Sequence, residues 1–272
     1  METNLRKELV NYHQTKNDYV IMKNQMGRGL NIIIDHTGGG TKRKNKYIYI
    51  IRHGETQWNI EKRSQGGEAD ISLNDVGKEQ AKITGMYLKK YRSKKNFDCI
   101  YTSPLIRASE TAEIIKNELD ESLPIIILDD LREHNVGKSS GKTQKEQKDD
   151  PTFDNFYKIL QKQTNIKDPI NKALYNKKVN KEVVKLGAES YTAGINRAKK
   201  VFDAILTSPY NKIIMITHSG TMWEMLFYLT HYGENTSGKN CSICYVEYKD
   251  ENYEIITMPN DDHIKLMKSH SI

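Results

Sequence analysis

Four short segments of the sequence carry histidine, arginine and carboxylate side chains that together could transfer a phosphoryl group. Histidine can attack phosphorus as a neutral nucleophile, and a positioned carboxylic acid can protonate the leaving group. Arginine can hold two phosphate oxygens at once through its planar guanidinium. The segments are RHGETQWN (residues 52–59), YTSPLIRASETA (101–112), LREHNVG (131–137) and ITHSGT (216–221).

Each segment lies where a predicted strand ends or a connecting loop begins. The run YIYII (47–51) shows no polar alternation, which is typical of a strand covered on both faces of a parallel sheet. In such sheets ligands bind beyond the carboxyl ends of the strands, so we expect Arg52 and His53 at a site rather than in the core. Further strands are predicted at 98–102, 124–128, 212–217 and 242–248, and helices at 75–91, 106–117, 188–206 and 221–229.

The alternation of strands and helices predicts an α/β fold, a three-layer sandwich with a mostly parallel central sheet flanked by helices. We assign residues 47–272 to this domain. Residues 1–46 are predicted to be an N-terminal extension with a helix at LRKELVNY, a short strand at NIIID and a flexible basic loop at TGGGTKRKNK.

Residues 138–187 break the alternation and are predicted to be an insertion in the domain. They contain about twice as many lysines as acidic residues, and the prolines of KDDP and KDPI interrupt their helical pattern. Two interpretations stand side by side: a lid or specificity element at the ligand end of the sheet, or a disordered basic spacer.

The composition is that of a polar globular protein. The 272 residues are 37% hydrophobic and 28% charged, with a net charge of +7, which favours anionic ligands. No apolar run approaches the roughly 18 residues of a membrane span, and the first residues lack a signal-peptide core. We therefore predict a cytoplasmic protein without a membrane partner. Cys241 and Cys244 form a C-x-x-C on a predicted strand, where they would point to opposite faces, so a redox or metal pair is not expected.

Taken together, the segments resemble the motifs of the histidine phosphatase superfamily, the phosphoglycerate mutase-like proteins. The similar stretches are RHGE followed by T-x-x-N, SPLIRASETA, L-x-E-x-x-x-G and THSG. QGGEADISLNDVGKEQA (65–81), GAESYTAGINR (187–197) and NDDHI (260–264) resemble further motifs of the family. The resemblance covers residues 47 to about 137 and 187 to about 264.

The resemblance implies a phosphoglycerate mutase-like fold and a covalent phosphohistidine on His53. Glu133 matches the proton donor of the family. The groups that would surround the phosphoryl oxygens are Arg52, Arg107 and His218. Substrate-binding positions would be Asn59, Gln65, Gly66, Ser219 and Gly220.

Several further expectations accompany these roles. We expect Glu55 to orient the arginine and histidine from behind. We expect no metal and no cofactor, and GKSSGKT (137–143) lacks the spacing of a nucleotide-binding P-loop. The expected partner is a phosphorylated small molecule or a phosphoprotein, with no nucleic acid. The identity of the substrate and the oligomeric state stay open.

Three functions compete. Cofactor-dependent mutases carry E-R-H-Y-G and then a paired arginine, whereas residues 133–137 read EHNVG and the insertion has no Arg-Arg pair. This favours a phosphatase over a phosphoglycerate mutase-type phosphoryl transferase, although KSSG stands where phosphatases often have acidic and aromatic residues. The third hypothesis is a non-catalytic basic binding or scaffold protein on the same fold. All five catalytic positions hold competent residues, and the lysines of the insertion are not interleaved with aromatic residues, which argues against it.

Overall fold

The computed structural model describes residues 31–32, 45–92, 96–163, 178–230 and 238–269. The strands within them are β1 Asn31–Ile32, β2 Lys46–Arg52, β3 Cys99–Thr102, β4 Ile125–Ile127, β5 Lys212–Thr217, β6 Ile243–Lys249 and β7 Asn252–Asn260. They form one sheet in the order β1-β7-β6-β2-β5-β3-β4. The helices are α1 Gln57–Ile60, α2 Asp75–Arg92, α3 Ile106–Leu119, α4 Gln144–Asp149, α5 Asp154–Gln163, α6 (residues 178–185), α7 Tyr191–Thr207, α8 Ser219–Thr230 and α9 Asp262–Ser269.

The central strands β2, β5, β3 and β4 are parallel neighbours. Arg52 pairs with Thr217, and Thr102 pairs with Ile216, so the carboxyl ends of β2, β5 and β3 lie side by side. The three-layer α/β prediction with a mostly parallel sheet is confirmed. The register also brings the segments that follow these three strands to one edge of the sheet.

The sandwich has a separate core on each face of the sheet. Ile48 and Ile50 of β2 pack into the core under α7 and α8, while Tyr49 and Ile51 pack into the core under α2 and α3. This is why YIYII has no polar alternation: both faces of the strand are covered.

The antiparallel side of the sheet was predicted only in part. β6 pairs with β2 as a strand expected at 242–248, but β7 was not predicted. β7 is rich in polar residues and half-exposed, so its sequence lacks the apolar run of a buried strand. It follows a tight turn in which Asp250 and Glu251 both have positive φ, a conformation suited to a two-residue hairpin loop.

The N-terminal extension contributes one described element. β1 pairs antiparallel with β7, which places a strand within NIIID as predicted. The predicted helix at LRKELVNY and almost all of the basic loop at TGGGTKRKNK lie outside the described residues. Among the helices that the structure describes, none is both long and apolar enough to cross a membrane.

The described parts of 138–187 are helical and packed. Phe153 is fully buried, and Val179 and Leu186 are nearly so. The two ends of the segment meet where Lys138 N donates to Leu186 O at 2.9 Å. Its first residues lie along the loop that precedes α2, through bridges that pair Ser64 with Ser140 and residue 63 with residue 143. The first residues of the segment therefore lie beside the loop of residues 65–67, which we call the QGG loop.

Candidate active site

His53 stands directly after β2 and is 2% exposed. Its Nδ1 lies 2.7 Å from the carbonyl oxygen of Gly54. Because a carbonyl can only accept, Nδ1 carries the proton and Nε2 keeps its lone pair. Burial, together with the charges of Arg52 and Arg107, holds the pKa of His53 well below its usual range. The imidazole is therefore neutral at neutral pH, as a nucleophile must be.

His218 follows β5 and faces the first histidine, with ring centroids 5.2 Å apart. Arg107 Nε donates to His218 Nδ1 at 3.2 Å, so the proton of His218 lies on Nε2, which donates to Ser103 Oγ at 2.8 Å. Burial first, and then Arg107, lowers the pKa of His218 well below its usual value. Both histidines are therefore neutral and held in defined tautomers by their neighbours.

Two guanidinium groups give the site its positive charge. Arg107, on the first turn of α3, is fully buried and donates Nη1 to Ala69 O at 2.6 Å. Burial lowers its pKa to about 10, which still leaves it charged at neutral pH. Arg52 donates Nη1 to Gly238 O at 2.9 Å, but its buried Nε has no hydrogen-bond partner among the described residues. An unpaired buried donor costs about 1–3 kcal/mol, and an anion at this position would remove that cost.

Glu133 approaches the site from the loop after β4 and is 9% exposed. Its carboxylate accepts hydrogen bonds from Thr221 N at 3.1 Å, Gly220 N at 3.2 Å and His134 N at 2.8 Å. Two of these donors belong to the first turn of α8, where unpaired N–H groups and the helix dipole favour an anionic group. The chain from the end of β5 into the first turn of α8 thus carries His218 and also holds the Glu133 carboxylate.

Comparisons with known proteins give the family of the chain. The family model for the histidine phosphatase superfamily (branch 1) matches residues 48–261. The chain belongs to this superfamily. The relatives that it matches include proteins named as phosphatases and proteins named as phosphoglycerate mutases, so membership in the superfamily does not by itself distinguish the two activities.

One superfamily relative is PhoE of Bacillus subtilis strain 168, an uncharacterized phosphatase, which is 39% identical over 140 residues, covering 48% of this chain and 68% of that protein. A 2,3-bisphosphoglycerate-dependent phosphoglycerate mutase of Cytophaga hutchinsonii is 36% identical over 94 residues, 35% of this chain and 42% of that protein. This match therefore spans less than half of the mutase. The crystal structure of a Bacillus anthracis phosphoglycerate mutase superposes with a TM-score of 0.66 at 22% identity, over 84% of this chain and 98% of that one, which supports the fold alone.

The other positions that the superfamily resemblance suggested lie around these groups. Gly66 O accepts from Arg107 Nη2 at 3.4 Å. Gln65 Oε1 accepts from Thr56 Oγ1 at 2.9 Å, and Asn59 Oδ1 accepts from the Thr56 backbone N–H at 3.1 Å. Ser219 begins α8 directly after His218. Their roles in substrate binding stay predictions.

Glu55 does not have the orienting role that we expected of it. Its Oε1 accepts from Asn74 Nδ2 at 3.0 Å, so the carboxylate fixes the loop before α2 and, among the described contacts, not the arginine or histidine. The loop after β2 is instead held by Asn240, whose Nδ2 donates to His53 O at 3.1 Å and to Asn59 Oδ1 at 3.1 Å. Nothing in the sequence signalled Asn240, because its partners lie more than 180 residues away along the chain.

Ser103, which accepts from His218 Nε2, is a residue of the site that the sequence analysis did not predict. The sequence signal for it was its position, directly after a predicted strand and before Pro104.

A separate cavity of about 600 Å³, with Tyr49, Tyr87 and Tyr245 in its walls, lies under α9, and none of the predicted site residues lines it.

Gly220 allows the close approach of Glu133 to α8, and we expect Gly220→Ala to displace the carboxylate. An added Cβ would lie 2.6 Å from Glu133 Oε1, which can swing away because it is the end of a side chain. The free energy of unfolding should change by no more than about 1 kcal/mol, while kcat on phosphate esters with poor leaving groups should fall about 10- to 100-fold.

Steady-state kinetics and urea unfolding of the same preparations test this. Gly85→Ala is the matched control, because Gly85 lies in α2 and its added Cβ would meet Glu118 Cβ of α3 at 2.7 Å, remote from the site. That variant should lose stability and keep its kcat. A Gly220→Ala enzyme with full kcat on these esters would show that catalysis does not need the contact between the Glu133 carboxylate and the first turn of α8.

Proposed function

We propose that this chain is a phosphomonoester hydrolase that acts through a covalent phosphohistidine on His53 and needs no metal ion. The observation that supports it most is the state of His53: a buried, neutral imidazole with its Nε2 lone pair available, next to His218 and two guanidinium groups. Phosphoryl transfer asks a protein mainly for positioning and charge stabilisation, which this arrangement supplies.

The proposed reaction has two steps. In the first, His53 Nε2 forms a bond to phosphorus while the ester P–O bond breaks, and Glu133, which carries a proton when the ester is bound, gives that proton to the departing alkoxide. In the second, Glu133 takes a proton from water as the water attacks phosphorus, the N–P bond breaks and inorganic phosphate leaves. Arg52 and Arg107 would donate to the non-bridging oxygens in both steps, and His218 would join them by turning its Nε2–H from Ser103 to the bound phosphoryl group.

Hydrolysis is favoured over mutase chemistry by residues 133–137. They read EHNVG, and no Arg-Arg pair follows in the insertion to hold a substrate carboxylate. The two positive charges of Arg52 and Arg107 outnumber the single carboxylate of Glu133, which suits the phosphate group of a phosphorylated small molecule or phosphoprotein. We also propose that the enzyme is cytoplasmic and has no nucleic-acid partner.

The test is release of phosphate from p-nitrophenyl phosphate and from an alkyl phosphate in the presence of a metal chelator, beside a mutase assay with 3-phosphoglycerate. We expect hydrolysis of both esters without added metal, and little isomerisation. Isomerisation faster than hydrolysis would make the chain a mutase. Tight binding of phosphate esters without turnover of any of them would favour the scaffold hypothesis.

A further inference from the structure

A network of four charged side chains lies directly behind Glu133. His134 Nδ1 is 2.6 Å from Glu224 Oε1, and Glu224, on α8, is 1% exposed. Arg197 of α7 donates Nη2 to Glu189 Oε2 at 2.9 Å and to Glu224 Oε2 at 3.3 Å. We call His134, Glu189, Arg197 and Glu224 the His134 network.

The His134 network is tied to the backbone that carries Glu133. Arg197 Nη1 donates to Asp130 O at 3.0 Å and to Arg132 O at 2.5 Å. The backbone of His134 donates its N–H to Glu133 Oε1 and accepts from Gly67 N at 3.1 Å. A shift of the His134 backbone would therefore move a hydrogen-bond donor of Glu133 and a neighbour of Gly67, and the bond between the His134 ring and Glu224 ties that backbone to α8.

With both carboxylates ionised, the charges of the network balance when His134 is protonated. Glu224 and Glu189 supply two carboxylates, and Arg197 supplies one cation. Burial disfavours the charged imidazole, but the hydrogen bond and charge of Glu224, with Glu189 and Glu133, outweigh it and raise the pKa of His134. A buried carboxylate that loses one of its partners is strongly destabilised, so Glu224 holds the imidazole firmly.

A metal ion is the competing interpretation of these residues. The ligand atoms of His134, Glu189 and Glu224 lie within 4.8 Å of one another. However, Arg197 and the imidazole already donate to the carboxylate oxygens that such an ion would use. Arg197 and the protonated His134 therefore supply the positive charges that the two carboxylates need, and a metal ion is not required.

We propose that His134 is a positioning residue for Glu133: its ring, bonded to Glu224, holds the carboxylate of Glu133 on the first turn of α8. This rests on the proposed function, in which that carboxylate transfers protons. The consequence is selective, because proton donation matters most for leaving groups that are poor without it.

His134→Leu and His134→Asn separate this role from packing. Leucine fills the space without a donor, whereas the amide of asparagine can still donate to Glu224. We expect His134→Leu to lower kcat on an alkyl phosphate about 10- to 50-fold with KM within about twofold, and kcat on p-nitrophenyl phosphate less than about threefold. His134→Asn should retain at least about a third of the parent kcat on the alkyl ester.

The pH profile gives a second readout that packing alone would not change. The groups that face His134 are Glu133, Glu189, Glu224, Arg197 and the stacked ring of Tyr191. Because its pKa is raised, the imidazolium is present at neutral pH and is lost as pH rises through the folded-state value. A basic limb in kcat for the alkyl ester should reflect this loss, and it should be absent in His134→Asn.

Gly194→Ala tests the same network from the other side if His134→Leu fails to fold. Its Cβ would lie 1.8 Å from Glu224 Oε1, which would push that carboxylate away from His134 without changing the histidine. The same selective loss on the alkyl ester is expected. Equal losses on both esters, or no loss in either variant, would overturn the positioning role. Absence of hydrolysis by the parent enzyme would instead overturn the proposed function, so the two failures are distinguishable.

Discussion

Replacement of His53 by alanine is expected to abolish turnover and covalent labelling together. Of the two neutral histidines in the described site, His53 keeps its Nε2 lone pair available, whereas the lone pair of His218 accepts from Arg107 Nε. The remaining charged groups can bind phosphate but cannot form the N–P bond. Loss of the nucleophile should lower kcat by roughly 10⁴-fold or more on every ester. The parent enzyme, quenched with denaturant at alkaline pH because the N–P bond is labile in acid, should carry labelled phosphate on the peptide that contains residue 53.

His263→Ala is the matched control for this experiment. His263, in α9, is the third buried histidine among the described residues, and its Nε2 lies 3.0 Å from Thr84 Oγ1, away from the site. Its removal should cost stability and leave kcat within about twofold of the parent. Full activity of His53→Ala, or undiminished labelling in that variant, would refute the phosphohistidine mechanism.

The pH dependence of the same step follows from the lowered pKa of His53. Burial first, and then Arg52 and Arg107, keeps the ring neutral below the ordinary histidine pKa of about 6.5. Nuclear magnetic resonance of the ring should therefore show a neutral His53 at pH 6.5. Since the unfolded chain binds this proton more readily, the contribution of His53 to stability is present above about pH 6.5 and is lost as pH falls.

Replacement of Glu133 by glutamine should slow the reaction in proportion to how much the leaving group needs a proton. Glutamine keeps the shape and one acceptor oxygen for the N–H groups of α8, but it cannot transfer a proton. We expect kcat on alkyl phosphates to fall roughly 10²- to 10⁴-fold, and kcat on p-nitrophenyl phosphate less than about tenfold. A plot of log kcat against leaving-group pKa should be steeper for the variant than for the parent.

Glu55→Gln is the matched control, because its carboxylate bonds to Asn74 and lies outside the proposed proton path. It should leave that slope unchanged. An equal loss on alkyl and aryl esters in Glu133→Gln would assign Glu133 a structural role and remove it from the mechanism.

Local sequence patterns were enough to predict the fold class, which the structure confirms, and they also marked the segments that we propose for the site. The apolar run before Arg52 predicted a strand covered on both faces, and the structure has it. The position of chemical side chains directly after strands predicted that His53 and His218 lie together, because parallel neighbours in register end at one edge. Such signals are local: they depend on residues within one turn or strand.

The hydrogen-bond partner of each side chain depends on packing between elements that are far apart in the chain. His134 meets Glu224 across 90 residues, and Asn240 meets the His53 loop across 187. Arg107, on α3, contacts His218 at the end of β5. Glu55 bonds to Asn74 and does not contact the site histidines or arginines among the described residues. These contacts depend on the distance and orientation at which the helices pack on the two faces of the sheet. Side-chain periodicity predicts that a helix forms, but it carries no information about either quantity. The sequence therefore predicted which groups form the site, whereas packing decided their tautomers, their charges and the residues that hold them in place.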